Sequence, residues 1–137
     1  MTGLATIACL LEVTTPKPGN VHRGADFEDV TFGDFALSAC AIGPVMDRAA
    51  SRGVGQTVLD AVQATKRWVV TNTNLGSVLL LAPLAAAPAS QNLASAVLQV
   101  LSNTTAEDSR LVYQAIRLAS PGGLGSVAEG DIGGPAP

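Results

Sequence analysis

Three side chains able to carry positive charge, Lys17, His22 and Arg23, fall within one short run, TPKPGNVHR, from Thr15 to Arg23. Pro16 and Pro18 stiffen the backbone on either side of Lys17, which limits the entropy lost in presenting it, and Gly19-Asn20 supplies a turn. A lysine offers a point charge and an arginine a planar fork that grips two oxygens, both suited to phosphate. A second polar island, TNTNLG from Thr71 to Gly76, stands just before the most apolar run of the chain. Thr73 or Asn74 can cap the helix that follows. A free helix start, with unpaired amides and a positive dipole end, also binds phosphate, which leaves Asn72 to read a hydroxyl or a base edge. We therefore expect the two islands to face each other across a helical core and to bind phosphate and sugar. The plainer readings are that the cations solvate a loop, that His22 is a structural hydrogen-bonder and that the asparagines only cap.

Asp26, Asp29, Asp34, Glu107 and Asp108 supply carboxylates. Beside a polyphosphate, such groups hold Mg²⁺ through one or two direct bonds, steady an oxocarbenium-like centre or take a proton from an attacking hydroxyl. Asp34 and Glu107 also have cap spacing, after Thr31 and Thr104 respectively. No Walker-type or Rossmann glycine pattern follows a strand, and Gly123-Leu124-Gly125 reads as a loop hinge. A single histidine surrounded by no metal-ligand spacing gives neither a Ser-His-Asp nor a Cys-His arrangement.

Composition sets the frame for these islands. Of 137 residues, 47% are apolar and only 14% charged, with a net charge of −3. That balance excludes a broad nucleic-acid footprint but not a local anion site. Cys9 and Cys40 each sit in a helical pattern and read as two buried thiols in a reducing cytosol. No secretion signal opens the sequence. Leu75–Ala89 is apolar but contains Pro83 and Pro88 and falls short of the roughly 20 residues a membrane span needs, so it reads as a buried core helix.

The elements that must position the islands are helical. Leu4, Ile7, Ala8 and Leu11 predict an amphipathic first helix from about Thr2 to Val13, ended by Pro16 and Pro18. Thr31 and Asp34 open a second, with Phe32, Phe35, Ala36, Ala39 and Met46 inward and Gly43-Pro44 expected to kink or divide it. After a turn at Ser51–Gly55, Val54, Val58, Ala61, Val62, Thr65, Trp68 and Val69 give the cleanest helical period. The run from Leu75 to about Ala86, apolar on every side, should be central. Leu93, Val97, Val100 and Leu101 mark a fifth helix. The sixth, opened by Thr104 and Glu107, turns Leu111, Val112, Ala115, Leu118 and Ala119 inward. The expected fold is all-α, a compact helical bundle of about six helices with long polar loops. Residues 1–120 form the helical domain with the nucleotide site, and 121–137 form a Gly/Pro-rich tail unable to fold alone.

With these residues in hand, the chain resembles the triphosphoribosyl-dephospho-CoA synthase family. The matching runs are LLEVTTPKPGNVHR (10–23), DVTFGDFALSA (29–39), GVGQTVLDAVQATKR (53–67), TNTNLGSVLLLAPLA (71–85) and DSRLVYQAIRLASPGGLGSVAEGD (108–131), nearly the whole sequence. The resemblance implies an all-helical cytoplasmic transferase that moves the triphosphoribosyl group of ATP to the ribose 2′-hydroxyl of 3′-dephospho-CoA, releasing adenine. The product is the prosthetic-group precursor for the acyl carrier subunit of citrate or malonate lyases. It further implies Lys17, His22 and Arg23 on phosphate, and Asn20, Asn72 and Asn74 among the substrate contacts. Asp26, Asp29 or Asp108 would assist the hydroxyl or the developing cation, and Mg²⁺ would be held through Asp29 or Asp108. Family members are typically longer, so the tail is expected to lead into a C-terminal half, and exposed apolar surface is expected to favour a homo-oligomer. The alternatives are a non-catalytic nucleotide- or phosphate-binding helical module, a short relative acting on a different acceptor, and a purely structural oligomerisation domain.

Overall fold

The computed structural model describes residues 3–128 and 130–134. In chain order the helices are α1 (Leu4–Thr14), α2 (Phe32–Met46), α3 (Ala49–Arg52), α4 (Val54–Lys66), α5 (Leu75–Ala86), α6 (Leu93–Ser102) and α7 (Ala106–Ala119). The described residues contain no strand, only an isolated antiparallel bridge between His22 and Ala25, so the protein is all-α as expected. The seventh helix, one more than expected, is α3. It occupies part of the stretch read as a Ser51–Gly55 turn and stops at Gly53, whose φ of 81° suits a residue without Cβ.

Helix α4 forms the centre because its apolar period is complete. Val58, Leu59, Ala61 and Val62 pack with Ile42 and Met46 of α2, Val78 and Ala82 of α5, and Ala115 and Ala119 of α7. Its start lies unusually close to α7: a Cβ built on Gly55 would stand 2.5 Å from the Asp108 Cα. Trp68 does not join this core. Helix α4 ends at Lys66, so the helical register does not carry to Trp68, which is 68% exposed while Val69 is buried.

Helix α1 reverses the expected orientation. Leu4, Ile7 and Leu11 are each more than half exposed, whereas Val13 is buried and Ala5 and Cys9 pack against the core. Close approach to α2 explains the reversal. The Thr6 hydroxyl donates to the Ala39 carbonyl at 3.0 Å, and a Cβ on Gly43 would meet the Thr6 Oγ1 at 2.3 Å. Only small residues fit that seam, so the leucines turn outward. Helix α6 repeats the pattern, burying Ala96 and leaving Leu93 and Leu101 exposed. Leu118 of α7 is likewise exposed, and so is Leu80 of α5, a helix that is less enclosed than its composition suggested. The predicted start of α1 at Thr2 lies outside the described residues.

Three further local expectations are corrected. Pro44 does not divide α2: it removes only the bond to the Cys40 carbonyl, and Asp47 N still donates to Gly43 O at 3.0 Å. The cap of α7 falls one residue later than predicted. Asp108 N donates to Thr105 Oγ1 at 3.3 Å and Thr105 N to Asp108 Oδ2 at 2.9 Å, while Glu107 pairs with Arg110. The cysteines are free but not buried, Cys9 being half-buried and Cys40 exposed. Burial, reinforced by nearby Glu12, still pushes the Cys9 thiol up, with Ser77 opposing. The cap of α2 is as read, with Thr31 and Asp34 exchanging both bonds.

The described part of the tail lies on α7. Tyr113 donates its hydroxyl to Gly130 O at 3.0 Å, and Arg117 Nη1 donates to Ile132 O at 2.8 Å. The Asp131 carboxylate accepts from Val127 N and Gly133 N at 2.9 and 2.7 Å, bonds that hold it below the usual carboxylate range. The other tail positions, Glu129 and 135–137, lie outside the described residues.

Candidate functional site

The loop after α1 is built by local bonds. Thr14 and Thr15 both donate their hydroxyls to Leu11 O at 2.9 Å, which closes the helix end. Asn20 N then donates to Lys17 O at 3.2 Å across a turn in which Gly19 takes a φ of 77°. Val21 and Val30 are buried and anchor the loop, while His22 and Ala25 exchange backbone bonds of 3.1 and 2.9 Å. Gly24 N donates to His22 Nδ1 at 3.2 Å, so in the neutral imidazole the proton belongs on Nε2. Lys17 is not free: its Nζ pairs with the Glu12 carboxylate and donates to the Glu12 carbonyl at 3.0 Å.

The second island enters α5 from buried Val69. Thr71 Oγ1 donates to the Asp29 carbonyl at 3.3 Å, tying the two loops directly. The Ser38 hydroxyl gives its proton to Asp34 O at 2.7 Å, so Thr73 is the donor in the 2.6 Å contact between the Thr73 and Ser38 hydroxyls. Asn72, not Thr73 or Asn74, serves the helix start, its Oδ1 accepting from Leu75 N at 3.2 Å. Asn74 occupies the cap position without a cap bond. It is buried, and its Nδ2 donates to Thr65 Oγ1 at 3.2 Å.

The two islands meet. A cavity of about 280 Å³ is lined by Glu12, Asn20, Asn72, Asn74 and Ser77, with Gly19 and Gly76 also in its wall. A second cavity of about 390 Å³, lined by Lys17 and His22, shares Gly19, Asn20 and Phe27 with the first. The turn at Gly19-Asn20 thus borders both a recess with Lys17 and His22 and one where amides, hydroxyls and the Glu12 carboxylate stand among Val21, Phe27, Phe35 and Leu75. Lys17, Asn20, His22, Asn72 and Asn74 are thereby brought together.

Arg23, Asp26, Asp29 and Asp108 line neither cavity. Arg23 is exposed and makes no ion pair among the described residues. Asp26 Oδ1 accepts from Phe32 N at 2.7 Å at the start of α2. Asp29 is exposed, fastened to Thr71 through its carbonyl. Asp108 sits at the α4–α7 seam, where its Oδ1 accepts from Gly55 N at 2.8 Å. Partial burial would raise this carboxyl, but bonds from Gly55 and Thr105 outweigh it and hold the group below the ordinary aspartate range.

Glu12 and Ser77 are the polar lining residues that sequence reasoning missed, and Phe27, which lines both cavities, is the aromatic one. The signal for Glu12 was its place as the single charge of α1, five positions before Lys17. Among the described residues no three His, Cys, Asp or Glu side chains cluster as a metal site, and no helix is long and apolar enough to cross a membrane.

Fold and cleft together define an all-helical protein with a polar recess between two loops. Over residues 1–136 the chain matches the CitG family model, described as ATP:dephospho-CoA triphosphoribosyl transferase, and it belongs to that family. Comparison with curated proteins and with solved structures gave no match.

Proposed function

We propose that this chain transfers the triphosphoribosyl group of ATP to the ribose 2′-hydroxyl of 3′-dephospho-CoA, in the synthesis of a prosthetic-group precursor for citrate- or malonate-lyase-type acyl carrier subunits. The observation that carries this reading is the shared lining of one recess by Asn20 and by Asn72–Ser77, in a member of this family. The acceptor hydroxyl oxygen bonds to C1′ of the ATP ribose as the C1′–N9 bond breaks, and that electron pair leaves with adenine, which takes up a proton. The triphosphate stays intact, so the protein clamps it rather than cleaving it. Lys17, His22 and Arg23 hold phosphate oxygens, while Asn20, Asn72 and Asn74 contact ribose and base. The hydroxyl proton passes to a carboxylate, Asp26 or Asp29, both of which stand outside the two cavities and would have to turn toward the acceptor.

A divalent cation fits the recess. Its donors are a single carboxylate, Glu12, with neutral amide and hydroxyl oxygens, and Mg²⁺ is typically held by one or two carboxylates with substrate phosphates and waters. Glu12, which now pairs with Lys17, would hold it, and Asp29, which lines neither cavity, fits less well. Asp108 fits less well, because Gly55 and Thr105 already occupy its oxygens. When bound, Mg²⁺ offsets the charge of the triphosphate. We place the reaction in the cytoplasm, as the family resemblance implies.

Chromatography of adenine formed from ATP, with dephospho-CoA present or omitted, tests the proposal. Acceptor-dependent adenine release that is lost in Asn20→Ala supports it. ATP binding with no adenine formed would instead make the chain a nucleotide-binding module, a reading favoured by the structural engagement of Asp26 and Asp108.

A further inference from the structure

The chain holds three phenylalanines, one tryptophan and one tyrosine, and two of these rings, Phe27 and Phe35, line the recess that carries Asn20 and Asn72. Phe35 is partly buried on α2, whereas Phe27 is 47% exposed. Trp68 is exposed as well but lines neither cavity. Phe27 lines both, so its ring stands where the amide-bearing recess meets the one with Lys17 and His22. The backbone beneath it is held on either side. Phe27 N donates to Val30 O at 3.0 Å, Val30 is buried, and the preceding Asp26 accepts from Phe32 N at 2.7 Å. The loop therefore presents a phenyl face from an already ordered backbone, which spares the entropy of fixing it when a ligand arrives.

An aromatic face beside amides suits a flat heterocycle with a polar edge. The same wall offers Val21 and Leu75, both buried and apolar, and an unspent donor. Asn72 commits its Oδ1 to Leu75 N, which leaves its Nδ2 to donate to a ring nitrogen. A bare phosphate gains nothing from either ring. Resting on the reading that ATP is the donor substrate, we infer that Phe27 is the residue on which the adenine of ATP stacks. Asn72 meets the edge of that base, and the triphosphate passes the Gly19-Asn20 turn toward Lys17 and His22. Dephospho-CoA carries the same base, so the ring selects between two adenines by its place beside the cationic recess.

Calorimetry on the full chain with Mg²⁺ present tests the assignment, with three probes: ATP, inorganic tripolyphosphate (the same anion without its nucleoside) and dephospho-CoA. Phe27→Ala, Phe27→Leu and Phe27→Trp alter an exposed position, and circular dichroism checks that all three fold. Phe27→Ala should weaken ATP about tenfold, the scale of one base on one ring, and leave the other two probes unchanged. Phe27→Leu should share that loss, while Phe27→Trp should bind ATP at least as tightly as the wild type. In a Trp68→Phe background the indole of Phe27→Trp should be quenched by ATP and not by tripolyphosphate. Unchanged ATP affinity in Phe27→Ala, full affinity in Phe27→Leu, or equal losses for ATP and tripolyphosphate would overturn the stack while leaving the transferase reading intact. A loss confined to dephospho-CoA would move the ring to the acceptor and overturn it too. The expected pattern of ATP affinities with no adenine formed by the wild type would keep the base site and end the transferase reading. A wild type that binds no ATP would end both.

Discussion

The Asp108 carboxylate on α7 accepts a 2.8 Å bond from the Gly55 amide at the start of α4, while its other oxygen closes the capping box with Thr105. One side chain therefore caps its own helix and serves the first turn of the helix it packs against. Loss of these bonds in Asp108→Ala should lower stability by about 1–3 kcal/mol, read from urea unfolding. The pH dependence follows from the sign of the shift. Folding depresses this carboxyl, so its contribution is full above the ordinary aspartate range and disappears as pH falls through the lower folded value. The gap between wild type and Asp108→Asn should narrow on acidification below about pH 4.

Gly55→Ala should be costlier than a glycine-to-alanine change in an open helix, where the substitution is usually favourable. A Cβ there would stand 2.5 Å from the Asp108 Cα, so α4 and α7 must separate. A loss of about 1–3 kcal/mol is expected from overpacking, seen as a drop of several degrees in Tm. Gly76→Ala, where a Cβ meets nothing within 4 Å, is the control and should not fall with it.

The Lys17–Glu12 pair is solvent-accessible, so Glu12→Gln should change stability by less than about 1 kcal/mol. Under the proposed Mg²⁺ assignment its effect falls on the chemistry. The Mg²⁺ concentration giving half-maximal adenine release should rise in Glu12→Gln, while Lys17→Ala should raise KM for ATP about tenfold, or roughly 1.4 kcal/mol. Steady-state kinetics over a Mg²⁺ series measures both.

Arg23 makes no ion pair among the described residues, so Arg23→Ala should leave stability within about 0.5 kcal/mol. If it meets phosphate, the variant should bind ATP several-fold more weakly and with a shallower salt dependence. Calorimetry at two ionic strengths reads this directly. Unchanged ATP binding would return Arg23 to the solvated loop.

The features legible in the sequence were those decided within a few residues. Thr31 and Asp34 cap α2 as read because both bonds of the box are local, and the proline-punctuated loop and the Asn-rich island were visible as breaks in apolar period. The expected meeting of the two loops is seen at Asn20, Asn72 and Asn74, whereas Lys17 and His22 line the neighbouring cavity and Arg23 lines neither. The face of α1 was not. Periodicity counts leucines, whereas the actual seam was chosen by how closely Thr6 and Gly43 let two backbones approach, a property of the partner helix. Glu12 was missed for a related reason: its place in the cleft depends on which face of α1 packs inward, and that face was misjudged.

Trp68, the chain's lone indole, stands largely in solvent just beyond the end of α4. Its emission in the native protein should already resemble that of a hydrated side chain, so melting the interior will barely redden it. Fluorescence would report an intact molecule and a denatured one almost alike.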